Sequence, residues 1–134
     1  MKYFLDTNIC IYLINAKFPD MNNYYLTRNP SEIFIPSVVL SELVYGVHKS
    51  ARREQNFSKL KVFLSEIETV PFGAKAAFIA GQIHADLDRD GTPIGGNDIL
   101  IAATTLANLG ILVTNNTREF SQIKGLTYED WSQN

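Results

Sequence analysis

Two kinds of apolar pattern alternate along the chain. Short continuous runs rich in aromatic and branched residues read as buried strands, and longer stretches with apolar positions every three or four residues read as amphipathic helices. Residues 2–5 predict a first strand, "EIFIP" a second, "TVPF" a third and "ILVT" a fourth, with "LTYEDW" as a last edge strand. Asp6-Thr7-Asn8 suits a helix cap, and Ile9, Tyr12 and Leu13 form a helical face before Asn15. "NAKFPDMNNYYLTRNP" predicts a loop and a short helix with Pro19 in its first turn, closed by Asn29-Pro30. "SVVLSELVYGVHKS" is a helix entered just after Pro36. A charged helix follows over residues 51–67, with Phe57, Leu60, Phe63, Leu64 and Ile67 at helical spacing. Ala74–Asp90 is a long helix ended by the turn-rich "DGTPIGG". In "NDILIAATTLANLG" a further helix takes Asn97 as its cap and Gly110 as its C-terminal stop, and "REF" makes one more turn.

Strands alternating with helices predict an α/β fold, a central and mainly parallel sheet of about four to five strands flanked by helices. No repeat, low-complexity segment or linker divides the 134 residues, so a single domain over residues 1–134 is expected. Ligands of such sheets gather outside the carboxyl ends of the strands, where the winding reverses. Asp6 directly follows the first strand and therefore belongs at that edge.

Composition narrows the class. A hydrophobic fraction of 46% with 19% charged residues describes a folded chain rather than a disordered one. No apolar run reaches the roughly 18 residues that span a bilayer, and the amino terminus lacks the apolar core of a signal peptide. Cys10 is the only cysteine, which rules out an internal disulfide and, among Ile9, Ile11 and Tyr12, predicts a buried and inert thiol. A cytoplasmic location is expected. The net charge of −2 weighs against a nucleic-acid binder until the acids are placed.

Their placement is unusual. Asp6 is the only charge in residues 3–16, Glu42 the only one in 33–48 with His neutral, and Asp98 the only one in 91–117. Each of these apolar segments thus holds one carboxylate and no base to pair with it, although burying an unpaired carboxylate is costly. Asp6 and Asp98 also suit helix N-termini, where the dipole favours an acid, and Glu42 suits an exposed helix position. A hard divalent cation, Mg²⁺ or Mn²⁺, accounts for all three together and leaves coordination sites for a phosphate. A fourth acid, Glu119, stands one turn beyond Thr114, Asn115 and Asn116, which follow the fourth strand directly.

Other chemistry fits less well. His48 and His84 form no zinc-type ligand pair, no Gly-x-Ser-x-Gly elbow exists, and the "GTPIGG" glycines lack the Lys-Ser/Thr of a P-loop. An aspartyl-nucleophile phosphotransferase wants a second Asp two positions after the first, which here is Asn8. A receiver domain wants an acidic pair after the first strand and a late Lys. A non-catalytic binding module is disfavoured by the intact acids.

The segments "FLDTNICIYLI", "SELVYG", "GGNDILIAATTLANLGILVTNNTREF" and "LTYEDW", in that order, resemble a PIN-domain ribonuclease of the VapC toxin type over residues 2–131. The resemblance implies a Mg²⁺-dependent endoribonuclease acting on structured RNA, often a tRNA, by a water that the metal positions and acidifies. It implies inhibition of translation and growth unless a cognate VapB antitoxin neutralises the toxin, as a homodimer or as a hetero-oligomer with that antitoxin. Metal carboxylates carry over to Asp6, Glu42 and Asp98, and the fourth acidic position falls on Glu119, where many members have Asp. Asn116 takes a polar position that some members fill with Asp. Without these four acids, 10 acidic residues face 12 basic ones, so the surface outside the site is slightly basic. Arg28, Lys49, Arg52, Arg53, Lys59 and Lys61 are candidate phosphate contacts. An antitoxin segment is expected along an apolar groove around Tyr12, Leu13, Tyr45 and Val47, with a basic side chain reaching the acids.

Overall fold

The computed structural model describes residues 1–132. Its strands are β1 (Tyr3–Leu5), β2 (Ile33–Pro36), β3 (Glu68–Val70), β4 (Ile111–Val113) and β5 (Tyr128–Glu129), joined in parallel in the order β3-β2-β1-β4-β5. Around the sheet pack α1 (Thr7–Ile14), α2 (Pro19–Leu26), α3 (Ser37–Lys49), α4 (Arg53–Leu64), α5 (Ala74–Asp90), α6 (Gly96–Ala107) and the single turn α7 (Thr117–Phe120). Every residue of β1 and β4 is buried, as expected of central parallel strands covered on both faces. The edge strands are wetter, with Glu68 exposed and Tyr128 and Glu129 half-buried. Among the described residues no helix is long and apolar enough to cross a membrane.

The winding runs outward from β1 to β2 to β3, then returns to place β4 on the other side of β1. The reversal therefore lies between β1 and β4, whose carboxyl ends are Leu5 and Val113. The next residues are Asp6 and Thr114, and the Asp6 N–H donates to the Val113 carbonyl at 2.9 Å. Pro36 can end β2 because Tyr3 and Phe4 pair with Ile33 and Phe34, so β1 is over before Pro36 is reached. The N–H that proline lacks would have no β1 partner there.

Three expectations need correction. The charged helix is shorter than residues 51–67: α4 stops at Leu64, and Ile67, though buried, belongs to the turn leading into β3. Asn97 is not a cap, since α6 begins at Gly96 with Gly95 before it and no side chain capping it. Gly110 does not supply the left-handed residue that ends α6. Leu109 does, at φ 55°, with its N–H on Leu106 O at 3.1 Å and the Gly110 N–H on Thr105 O at 3.0 Å. Glycine is needed at 110 for space: a Cβ there would stand 2.4 Å from Phe4 Cδ2. Phe4 cannot retreat, being fully buried and stacked on Phe34 at 5.4 Å.

The two neighbouring positions should therefore respond oppositely in urea denaturation. Gly110→Ala is expected to lower stability by about 1–3 kcal/mol through overpacking. Leu109→Gly should raise it by up to about 1 kcal/mol, because an exposed side chain leaves the left-handed region. Equal losses at both would mean that backbone conformation alone governs the turn.

Candidate functional site

Asp6 stands where β1 hands over to α1. Its backbone is extended, at φ −72° and ψ 161°, and the carboxylate caps the helix by accepting from the Thr7 N–H at 2.8 Å. The other oxygen accepts from the Thr114 hydroxyl at 2.7 Å, across 108 residues of sequence. Thr114 is fully buried, and its Oγ1 also accepts the Asn116 N–H at 3.0 Å. Capping and membership of a polar cluster are thus two faces of one position.

The Thr7 hydroxyl donates to Glu42 Oε1 at 2.7 Å, which fastens α3 to the start of α1. Glu42 is half-buried, not a free position on an exposed face. On the opposite side, Asp98 lies in the first turn of α6 and Glu119 in α7, both half-buried. Asn116 Nδ2 donates to Glu119 Oε2 at 3.1 Å and so aims it. Asn115 turns away, its amide donating to the Tyr12 hydroxyl at 2.9 Å.

Charge dominates this cluster. Burial pushes the Asp6 carboxyl above its usual range, and the Glu42 charge adds to this against the hydrogen bonds of Thr114 and Thr7. Asp98 is pushed up to about 7, first by burial, then by the Asp6 charge, a hydrogen bond with Glu119 and the charges of Glu119 and Glu42. None of these acids takes part in an ion pair among the described residues. Nor, among those residues, do three acids or histidines stand close enough to grip one ion by themselves. The donor set suits a cation that keeps several waters and takes one or two carboxylates directly, the manner of Mg²⁺.

Sequence reasoning named Thr114 only as a hydroxyl at the right edge and missed the Thr7–Glu42 bond. The available signal was a threonine close behind each strand end at the reversal, Thr7 after Asp6 and Thr114 after Val113. Arg28, a candidate phosphate contact, is committed elsewhere. Its guanidinium lies over Tyr24 at 4.4 Å, Tyr3 at 4.9 Å and Trp131 at 5.8 Å, so it is taken up by an aromatic cage. Lys49 and Lys61 lie over Tyr45 and Phe57 on α3 and α4. Cys10 is buried, and burial pushes its thiol well above the ordinary range, as suits an inert residue.

The raised carboxyls set a pH dependence. Unfolding releases Asp98 to a pKa of about 4, so between that value and about 7 the folded chain holds a proton that the unfolded chain has lost. With chelator present, the melting temperature should therefore fall as pH rises from 5 to about 7.5. Asp98→Asn should flatten the fall and melt above wild type at the upper end. Parallel curves for the two proteins would remove Asp98 from the coupled group.

Residues 3–126 match the PIN domain as a family. The ribonuclease VapC2 of Rickettsia felis is 48% identical, with 99% of this chain and 100% of that protein covered. The tRNA(fMet)-specific endonuclease VapC of Shigella flexneri is 42% identical, with 98% and 99% covered. In the crystal structure of DNA-bound VapBC from Salmonella typhimurium, a chain 40% identical superposes with a TM-score of 0.92, and 98% of each chain is covered. By sequence, by strand order and by the length of chain these matches cover, this protein belongs to the PIN-domain family, in its VapC ribonuclease branch.

Proposed function

We propose that the protein is a Mg²⁺-dependent endoribonuclease, the toxin of a VapBC-type pair, which cuts a structured RNA and is silenced by a VapB-type antitoxin. One observation carries the reading: Asp6, Glu42, Asp98 and Glu119 interact electrostatically at the β1/β4 reversal with no basic group paired to them among the described residues. The name of the Shigella flexneri relative supports the initiator tRNA as the RNA, and Mn²⁺ is a chemically equivalent substitute for Mg²⁺.

When bound, the ion supplies a Lewis acid for a phosphoryl oxygen and a water of lowered pKa. The chain's part is to hold donors ready. Thr7 and Thr114 fix Asp6 and Glu42 so that these carboxylates need no reorientation, and each keeps lone pairs free for the ion or its waters. Asp98, in the first turn of α6, would offer a further carboxylate to a bound cation, whose charge would favour its ionised form. Glu119, steered by Asn116, orients a water for in-line attack on phosphorus.

The antitoxin surface is the groove between α1, α3 and α4, of about 240 Å³, whose apolar lining is Ile11, Ile14, Leu43, Val47 and Leu60 and whose polar members are Glu42, Lys59, Asn15 and Asn56. This revises the expected lining. Val47 does belong to the groove, while Leu13 faces an adjoining hollow with Val62 and Phe63. Tyr12 packs on Phe18 and Asn115, and Tyr45 is exposed. An apolar helix fits this groove and brings a basic side chain to Glu42.

Asp6→Asn, Glu42→Gln and Asp98→Asn should each lower cleavage of initiator tRNA by at least about 100-fold at saturating Mg²⁺, with the circular dichroism of a folded protein. Glu119→Gln should cost less, roughly 10-fold to 100-fold, since its task is shared with waters. Wild-type cleavage by any of the first three would take that residue out of the site. For the partner, co-expression with the small reading frame beside the gene should yield a complex on tag purification. Its inhibition should weaken as Mg²⁺ or salt rises. No co-purification together with undiminished toxicity would sink the antitoxin assignment and leave the nuclease standing.

A further inference from the structure

The acidic centre opens in two directions of opposite character. At the Glu42 end lies the apolar groove described above. At the Asn116 and Glu119 end lies a cleft of about 580 Å³ between α7 and the loop that follows α5. Its far wall is the turn-rich stretch Gly91, Thr92, Pro93 and Ile94. That wall is fixed: Gly91 sits in the left-handed region at φ 69°, and the Thr92 N–H donates to Leu87 O at 3.0 Å. The near wall carries Asn116, Arg118 and Gln122.

The lining is chemically specific. Arg118 is the only cation among the lining residues, it is exposed, and it forms no ion pair among the described residues. Thr92 and Gln122 carry hydroxyl and amide groups that match base edges, and Pro93 and Ile94 give an apolar surface for a base face. One guanidinium for a phosphate, polar groups for a base edge and an apolar ledge for its face make a nucleotide-sized recognition site. An apolar helix would leave these groups unsatisfied, so the antitoxin and the RNA are drawn to different sides of the acids.

We propose that this cleft is the subsite for the nucleotide next to the scissile phosphate, with Arg118 gripping a phosphate and Gln122 and Thr92 reading the base. The assignment deepens the nuclease reading and rests on it. Arg118 and Gln122 are specificity and binding residues here, distinct from the acids.

The test is a salt titration of binding to fluorescently labelled initiator tRNA, by anisotropy with Mg²⁺, in the Asp98→Asn background so that the RNA stays whole. Arg118→Gln should weaken binding by roughly 10-fold and reduce the slope of log affinity against log salt by about 0.7–0.9, the loss of one phosphate contact. Arg118→Lys should keep the slope while losing part of the affinity, since it keeps the charge without the planar fork. Gln122→Ala should weaken binding with the slope unchanged. Lys2→Gln, at the opposite edge of the sheet, is the control for diffuse charge. An unchanged slope in Arg118→Gln, or an equal reduction in Lys2→Gln, overturns the cleft assignment while wild-type cleavage keeps the nuclease reading. A wild-type protein that neither binds nor cuts the tRNA overturns both.

Discussion

Carboxylates repel one another, and this fold gathers four of them within electrostatic reach at one end of a sheet. The hydroxyls of Thr7 and Thr114 make the arrangement possible by donating to Glu42 and Asp6. A hydroxyl donor stabilises a carboxylate without cancelling its charge, whereas a lysine or arginine in the same place would neutralise the cluster. The site is thus polar enough to be buried and keeps its negative charge. The residual strain shows in Asp98, whose carboxyl holds its proton up to about 7.

The sheet topology follows from the same requirement. Only at the reversal between β1 and β4 do two strand ends lie side by side with no helix crossing over them, and this is where Asp6 and Thr114 meet. The helices bring the remaining acids from three directions: α3 supplies Glu42, α6 supplies Asp98 and α7 supplies Glu119. Rigidity comes from behind, where Phe4, Leu5, Leu112 and Val113 are fully buried and Gly110 lets Phe4 pass. A centre mounted on such strands cannot drift without disturbing the core.

Around that centre the surface divides by character. The α1, α3 and α4 side is mainly apolar and suits a packed helix, while the α7 side is polar and carries Arg118, which forms no ion pair among the described residues. On the proposed reading the two surfaces divide the work, one for a protein to seal and one for a nucleic acid to follow. The two linings share no residue, so changes in one leave the other intact. The Arg28 cage of Tyr3, Tyr24 and Trp131 shows that basic residues of the chain also serve packing.

Much of this was legible in the chain itself. Period and punctuation placed the strands and helices, because β1 and β4 are continuous apolar runs while Pro19 and Gly91 mark helix ends by fixed backbone preferences. The three lone carboxylates stood out because apolar segments seldom tolerate an unpaired charge. What the sequence could not show is anything set by contact across the fold. The bond from Thr114 to Asp6 joins residues 108 apart, the raised Asp98 carboxyl depends on Asp6, Glu119 and Glu42 together, and the need for glycine at 110 comes from Phe4. The sequence by itself determined which elements form and which residues carry charge, since those depend on neighbours along the chain. Only the tertiary structure decided which charges share a space, which threonines hold them and which side of the centre is polar, because these depend on distances that folding alone creates.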